Sequence, residues 1–258
     1  MADFLKITSK DNSFVKLVKL LQSSAKARRE NRKFVLEGLR ICDDAIKNGI
    51  AFETLVFSET AGKKYSNALN EFSNFAKDTV TVTDSVFEKM SDTDSPQGIL
   101  AVIRMKDTEN TADRHGKFIA LENLADPSNL GAVSRTAEAL GVSGLIVSGG
   151  CDPYSPKALR ASMGTLLRIP VFPVNDIADF AKKNGMRIVS CVVDSQALPI
   201  TGVDFKCGDI VVIGNEANGI SDVLKSKSDI CTTIPMCGRA ESLNASVAAA
   251  IAVWEMMR

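Results

Sequence analysis

Residues 117–148 read KFIALENLADPSNLGAVSRTAEALGVSGLIVS. Two short apolar runs, 118–122 and 145–148, flank a turn and an amphipathic segment, 129–140. Short apolar runs bounded by turn residues fit buried strands, and the i, i+3, i+4 spacing between them fits a helix. Strand, crossover helix and strand form one β-α-β unit, whose two strands lie parallel. The pattern repeats toward the C-terminus. Further strands are predicted at 171–174, 187–193, 210–213 and 230–234, with helices at 157–163, 176–183 and 242–257. Such alternation predicts an α/β fold with a mainly parallel sheet covered on both faces. Sheets of this kind hold ligands beyond the carboxyl ends of their strands.

Toward the N-terminus, residues 105–116 (MKDTENTADRHG) are polar and suit a linker. A smaller α/β block precedes it. Helices are predicted there at 13–21, 37–47, 63–75 and 84–90, and strands at 52–57, 80–82 and 99–103. The chain is therefore expected to divide into 1–104, 105–116 and 117–258.

The 258 residues are 45% hydrophobic and 24% charged, with no net charge, the profile of a globular protein. No apolar run approaches the ~20 residues of a membrane span. The opening MADFLKITSKDNSF lacks the apolar core of a secretory signal, so a cytoplasmic protein without membrane contact is expected. Six cysteines make no C-x-x-C pair and mostly lie in strand-like runs, which predicts reduced, buried thiols. The single histidine, His115, argues against a Ser-His-Asp triad and a His-rich metal site, and no metal is expected. Charge is uneven: residues 10–40 carry nine Lys/Arg, Arg28 and Arg29 among them, against three acids. A local basic surplus of this kind can neutralise phosphates, and equally can be a solvated helix face.

Four segments in the second block carry chemistry. In Asn123–Arg135 a strand runs through Asp126-Pro127 into a helix capped by Ser128 or Asn129. There Gly131 permits close approach of a backbone or a phosphate, and Arg135 follows within two turns. Free amides plus a guanidinium suit an anion, although a well-capped helix with a surface arginine uses the same residues. In Ser155-Pro-Lys157-Ala-Leu-Arg160-Ala-Ser-Met-Gly164, Lys157 and Arg160 share a helix face. In Ile210–Ser221 a buried strand breaks at Gly214 into a glycine-flanked loop bearing Glu216, without the Lys-Ser/Thr of a P-loop. In Ile234–Ser246, Met236, Ser242, Leu243 and Asn244 precede an Ala-rich helix, which Ser242 or Asn244 can cap.

In this order and spacing, the four segments resemble the SpoU (TrmH) family of RNA 2′-O-ribose methyltransferases, within the SPOUT superfamily. Residues 10–104, with FVLEGLRICDDAIKNG, are similar to that family's N-terminal substrate-binding domain of ribosomal-protein type. The resemblance implies a deep trefoil knot over roughly residues 190–258, a topology that general rules disfavour. It implies S-adenosylmethionine bound by Gly214, Ile234, Met236 and Leu243, near the strand end at Val193. It implies a homodimer with the Ala-rich helices at the interface, and an RNA substrate, ribosomal RNA before tRNA. Catalytic work falls to Arg135, with Asn129, Glu216, Ser242 and Asn244 positioning it, the phosphate and the ribose. Arg28, Arg29, Lys157 and Arg160 become RNA contacts. A non-catalytic RNA-binding homologue and a methyltransferase acting on a base stay open. Binding of S-adenosylmethionine tests the first, and nucleoside mass spectrometry separates base from ribose methylation.

Overall fold

The computed structural model describes residues 4–105 and 112–258, so half of the expected linker, 106–111, lies outside the described residues. The chain forms two compact units: Met1–Asp107 with Tyr154–Arg160, and Thr108–Pro153 with Ala161–Arg258. The division is therefore not contiguous, because a short stretch of the second block groups with the first.

The first unit runs β1 (Leu5–Ile7), α1 (Ser13–Ser23), α2 (Ala25–Asn31), β2 (Lys33–Glu37), α3 (Leu39–Lys47), β3 (Phe52–Ser58), α4 (Glu59–Lys64), α5 (Ser66–Ser73), β4 (Ala76–Val82), α6 (Asp84–Met90) and β5 (Ile99–Arg104). The sheet order is β1-β4-β3-β5-β2. Strands β1, β4 and β3 are parallel, while β5 runs antiparallel to β3 and β2. Its core gathers Val15, Val18 and Leu21 of α1 with Val35, Val56, Val80 and Phe87. The sequence left β2 unassigned and began a helix at residue 37. In the structure that helix starts two residues later, after Gly38 turns the chain at φ +112°. The single helix predicted over 63–75 is two: Ser58 Oγ accepts from Ala61 N at 3.2 Å and starts α4 earlier, and at Tyr65 the chain leaves helical geometry (φ −119°, ψ 29°) before α5 begins.

Arg28 is no RNA contact. It is 3% exposed, and its Nη1 donates to the carbonyls of Leu21 and Gln22 at 2.6 and 3.1 Å. The break between α1 and α2 leaves those carbonyls without helical partners, and the guanidinium caps them. Arg29, Lys157 and Arg160 are exposed. The Arg160 Nη2 donates to Asp92 at 2.9 Å. Of the cysteines, Cys42 is buried as expected, but Cys207 and Cys237 are exposed.

The second unit continues with β6 (Phe118–Glu122), α7 (Pro127–Ala139), β7 (Gly144–Ser148), α8 (Pro156–Ser162), α9 (Thr165–Arg168), β8 (Val171–Val174), α10 (Ile177–Asn184) and β9 (Arg187–Cys191). A short β10 (Leu198–Pro199), a 3-10 turn (Ile200–Gly202), β11 (Asp209–Ile213), α11 (Asp222–Ser226), β12 (Ile230–Thr233) and α12 (Ala245–Met257) complete it. The sheet order is β10-β12-β9-β11-β6-β7-β8, and every neighbouring pair is parallel. Strands β7 and β11, GLIVS and DIVVI, are buried at every residue, as central strands covered on both faces must be. The order interleaves the chain: β11 lies between β6 and β9, and β12 then returns to the far side of β9. The knotted threading expected over 190–258 fits this order.

Two helix starts differ from expectation. Helix α7 is capped by Asp126, whose Oδ1 accepts from Ser128 N at 2.9 Å, with Pro127 in the first turn. That leaves the Asn129 side chain available for other work. Helix α12 begins at Ala245, capped by Asn244, so Ser242 stands in the preceding loop rather than in the helix. Gly131 admits a backbone and not a phosphate: a Cβ there would lie 2.6 Å from Ala161 C and 2.7 Å from Ser162 N. Ala249 and Ala252 of α12 are fully buried, the close packing that an Ala-rich helix allows.

Candidate active site

A cavity of about 580 Å³ opens beyond the carboxyl ends of β9, β11 and β12. That volume is in the range of small-molecule sites. Its walls come from the strand end at Cys191–Asp194, the loop after β11, the strand end at Thr233–Met236 and the approach to α12. Gly214, Ile234, Met236, Leu243 and Val193, singled out in the sequence, all line it, as do Glu216 and Ser242.

The loop after β11 is held tightly. Asn215 and Gly219 exchange backbone hydrogen bonds at 3.0 and 2.9 Å, and Gly219 turns at φ +66°. The Asn215 Oδ1 accepts from the amides of Ala217 and Asn218 at 2.9 and 3.0 Å, while its Nδ2 donates to Asn123 O at 2.8 Å. At Gly214 a Cβ would lie 2.2 Å from Gly219 C, so glycine is required for the loop to close on itself.

Glu216 fastens this loop to the start of α7. Its carboxylate accepts from Ala125 N at 3.0 Å, Asp126 N at 3.2 Å and Asn129 Nδ2 at 2.9 Å. Partial burial works against the charged form, but the Ala125 amide, the Asn129 side chain and the Asp126 amide outweigh it and hold the carboxyl below its ordinary value. The Asn129 Oδ1 in turn accepts from Asn244 Nδ2 at 3.1 Å. Asn244 Oδ1 then accepts from Ser246 N at 2.9 Å and Ser246 Oγ at 2.6 Å. Three loops distant in sequence are thus joined by one chain of polar contacts, which fixes both amides in orientation. The Cys191 thiol in the wall is pushed up to about 11 by burial, so it supplies no thiolate near neutral pH.

Arg135 is brought to the surface and not into this cavity. It is exposed and makes no ion pair or side-chain hydrogen bond with the described residues. Six residues separate it from Asn129, a rotation of about 240° around the helix, so the two point to different sides of α7. Asp194, Lys225 and Glu241 also stand in the cavity wall, and none of them was singled out in the sequence. Glu241 adjoins Ser242 and was within reach of the motif reading, whereas Asp194 and Lys225 carry no pattern. Among the described residues no group of three His, Cys, Asp or Glu could hold a metal ion, and no helix is long and apolar enough to cross a membrane.

The model of the SpoU rRNA methylase family matches residues 116–254, and that of an MRM3-like substrate binding domain matches 12–101. The chain is 30% identical over 254 residues to the 23S rRNA (guanosine(2553)-2′-O)-methyltransferase RlmP of Bacillus subtilis, covering 97% of this chain and 98% of that one. It is 28% identical over 273 residues to a 23S rRNA (uridine(2479)-2′-O)-methyltransferase of Streptomyces viridochromogenes, covering 98% and 92%. The crystal structure of an AdoMet-bound rRNA methyltransferase from Sinorhizobium meliloti superposes with a TM-score of 0.83 at 28% identity, covering 97% of this chain and 96% of that one.

Proposed function

We infer the activity from two facts: the chain belongs to the SpoU rRNA methylase family, and two of its motif loops, after β11 and before α12, line one nucleoside-sized cavity, with Glu216 tying the first of them to the motif at the start of α7. It is an S-adenosylmethionine-dependent methyltransferase acting on a ribose 2′-hydroxyl of ribosomal RNA. The observation that carries the reading is the Glu216–Asn129–Asn244 contact chain, which joins the cavity wall at Glu216 to the starts of α7 and α12.

Gly214, Ile234, Met236, Leu243 and Val193, all in the cavity wall, would hold the donor. When bound, S-adenosylmethionine supplies a methyl group made electrophilic by its sulfonium. The chain's own residues must align the 2′-oxygen and take charge of its proton. Asn129, Glu216 and Asn244 set the geometry. Arg135 binds the adjoining phosphate and stabilises negative charge as it develops on the oxygen. A guanidinium stays protonated, so Arg135 is not the base. The proton leaves toward Ser242 Oγ or that phosphate.

Arg135 faces away from its own cavity, and this supports a homodimer in which it serves the cavity of a second copy. Val247 and Trp254, seven residues apart on one face of α12, are 47% and 56% exposed and suit such an interface. The unit matched as a substrate binding domain would grip RNA, with Arg29, Lys157 and Arg160 as contacts. Arg160 then exchanges Asp92 for phosphate, an exchange that a solvated ion pair opposes only weakly. The reading places the protein with its substrate in the cytoplasm.

The test has two parts. Calorimetry should show one S-adenosylmethionine bound per chain. Mass spectrometry of ribosomal RNA from cells with and without the protein should show a 2′-O-methylated nucleoside that depends on it. A methyl group found on a base would refute the ribose assignment.

A further inference from the structure

Helix α8 ends in an uncommon turn. Met163 stands at φ +50°, in the left-handed region that disfavours any side chain, and Gly164 follows at φ +90°. The Met163 side chain is 48% exposed. A strained backbone that displays a large apolar group to solvent calls for a reason outside packing.

The turn is rigid because α7 braces it. Gly131 is pressed against Ala161, whose Cβ would lie 2.5 Å from an added Cβ. Ser134 Oγ and Thr165 Oγ1 are 2.6 Å apart, and Thr165 Oγ1 donates to Ser162 O at 2.9 Å. Glu138 pairs with Arg168, Oε2 to Nη2 at 3.0 Å. One flank of α7, from Gly131 through Ser134 to Glu138, is therefore lined by residues 161–168. Arg135 lies about 40° from Gly131, about 60° from Glu138 and about 100° from Ser134 around the helix, so it emerges at the border of that flank, beside Gly131. Met163 falls between Ser162 and Thr165, both of which touch it.

The turn that carries this apolar side chain thus packs on α7 next to the side from which a guanidinium without a protein partner among the described residues emerges. A nucleotide offers the complement of both: a flat apolar base and a phosphate. We propose that Met163 is a substrate-contact residue, packing on the base of the target nucleotide or its neighbour while Arg135 holds the phosphate. This rests on the methyltransferase reading above and adds a determinant of RNA binding to it. A second copy of the chain is the rival occupant of this surface. The exposed Arg135 cation at the border of this flank favours RNA, and the face of α12 bearing Val247 and Trp254 already offers an apolar surface to a second copy.

The experiment uses the full-length protein with total ribosomal RNA from cells lacking it and radiolabelled S-adenosylmethionine. Met163→Gly relaxes the left-handed position, Met163→Ala keeps it, and Met163→Leu keeps apolar reach. Burial of the Met163 side chain on a base accounts for a modest share of binding, so the KM for RNA should rise roughly fivefold to tenfold in the glycine and alanine variants. Donor affinity and Tm should not fall, and the leucine variant should stay within about twofold of wild type. Unchanged KM in both truncated variants, with wild type active, would overturn the proposal. So would a shift to monomer in sedimentation on Met163→Gly, which assigns the surface to a second copy. Wild type that binds donor but labels no RNA would defeat the activity reading and this inference with it.

Discussion

Replacing Gly131 by alanine puts one methyl group where α7 meets the end of α8. Its Cβ would stand 2.5 Å from Ala161 Cβ, 2.6 Å from Ala161 C and 2.7 Å from Ser162 N. Two of these neighbours are backbone, so relief requires α8 to move by most of an ångström. Overpacking of this kind costs about 1–3 kcal/mol, while the better helix propensity of alanine returns up to about 1 kcal/mol. A net loss of roughly 1–2 kcal/mol in a unit of this size lowers Tm by about 3–8 °C. Differential scanning calorimetry measures it, with Gly238→Ala as the control. Nothing lies within 4 Å of a Cβ at Gly238, and its φ is not in the left-handed range. The same shift moves the turn at Met163, so rRNA methylation should fall further than stability alone explains. A Tm at or above wild type for Gly131→Ala would refute the close contact on which this reasoning depends.

Four further outcomes follow from the same geometry. Glu216→Gln keeps one acceptor but loses charge at three amide donors, so kcat should fall on the order of 100-fold while donor affinity, read by calorimetry, changes little. Because the folded carboxyl of Glu216 lies below its ordinary value, its contribution is complete above the ordinary carboxylate range. It is lost as pH falls through the lowered value, so stability curves of wild type and Glu216→Gln should run parallel from pH 5 to 8 and converge in acid. Asp209→Ala leaves Arg187 without the fully buried carboxylate that accepts from its Nε and Nη2 at 2.8 and 2.7 Å, and should cost about 3 kcal/mol in urea unfolding. Arg135→Lys retains charge but loses the guanidinium fork, so methylation should drop at least tenfold; near-normal turnover would show that charge alone suffices.

The parallel sheet was legible because buried strands such as FIALE, GLIVS and DIVVI, in which only Glu122 is partly exposed, are short apolar runs between turns. Helix boundaries were less so. Ser128, Asn129 and Asp126 are all good caps by type, and only the folded chain shows that Asp126 does the capping and frees Asn129 for Glu216. Strand β2 was hidden by its basic surroundings, and β10 has two residues, too few for any period to show. The cavity's motif residues were readable because their types and order are distinctive. Arg28 and Arg29 illustrate the limit: adjacent, chemically identical and oppositely placed, one buried among carbonyls and one in solvent. Spacing along a helix also fixes how far Arg135 turns from Asn129, yet says nothing of which side meets the cavity.

The interleaved strand order has a consequence for synthesis on the ribosome. Strand β6 receives β7 on one edge soon after it emerges, but its other edge waits for β11, whose Ile210 pairs with Phe118 about ninety residues later. At ordinary elongation rates that is an interval of roughly 5–20 s. Throughout it a strand reading FIALE keeps an open, apolar, hydrogen-bonding border. Nascent chains stalled before residue 209 should therefore be sticky and dependent on chaperones, and chains released after residue 213 markedly less so.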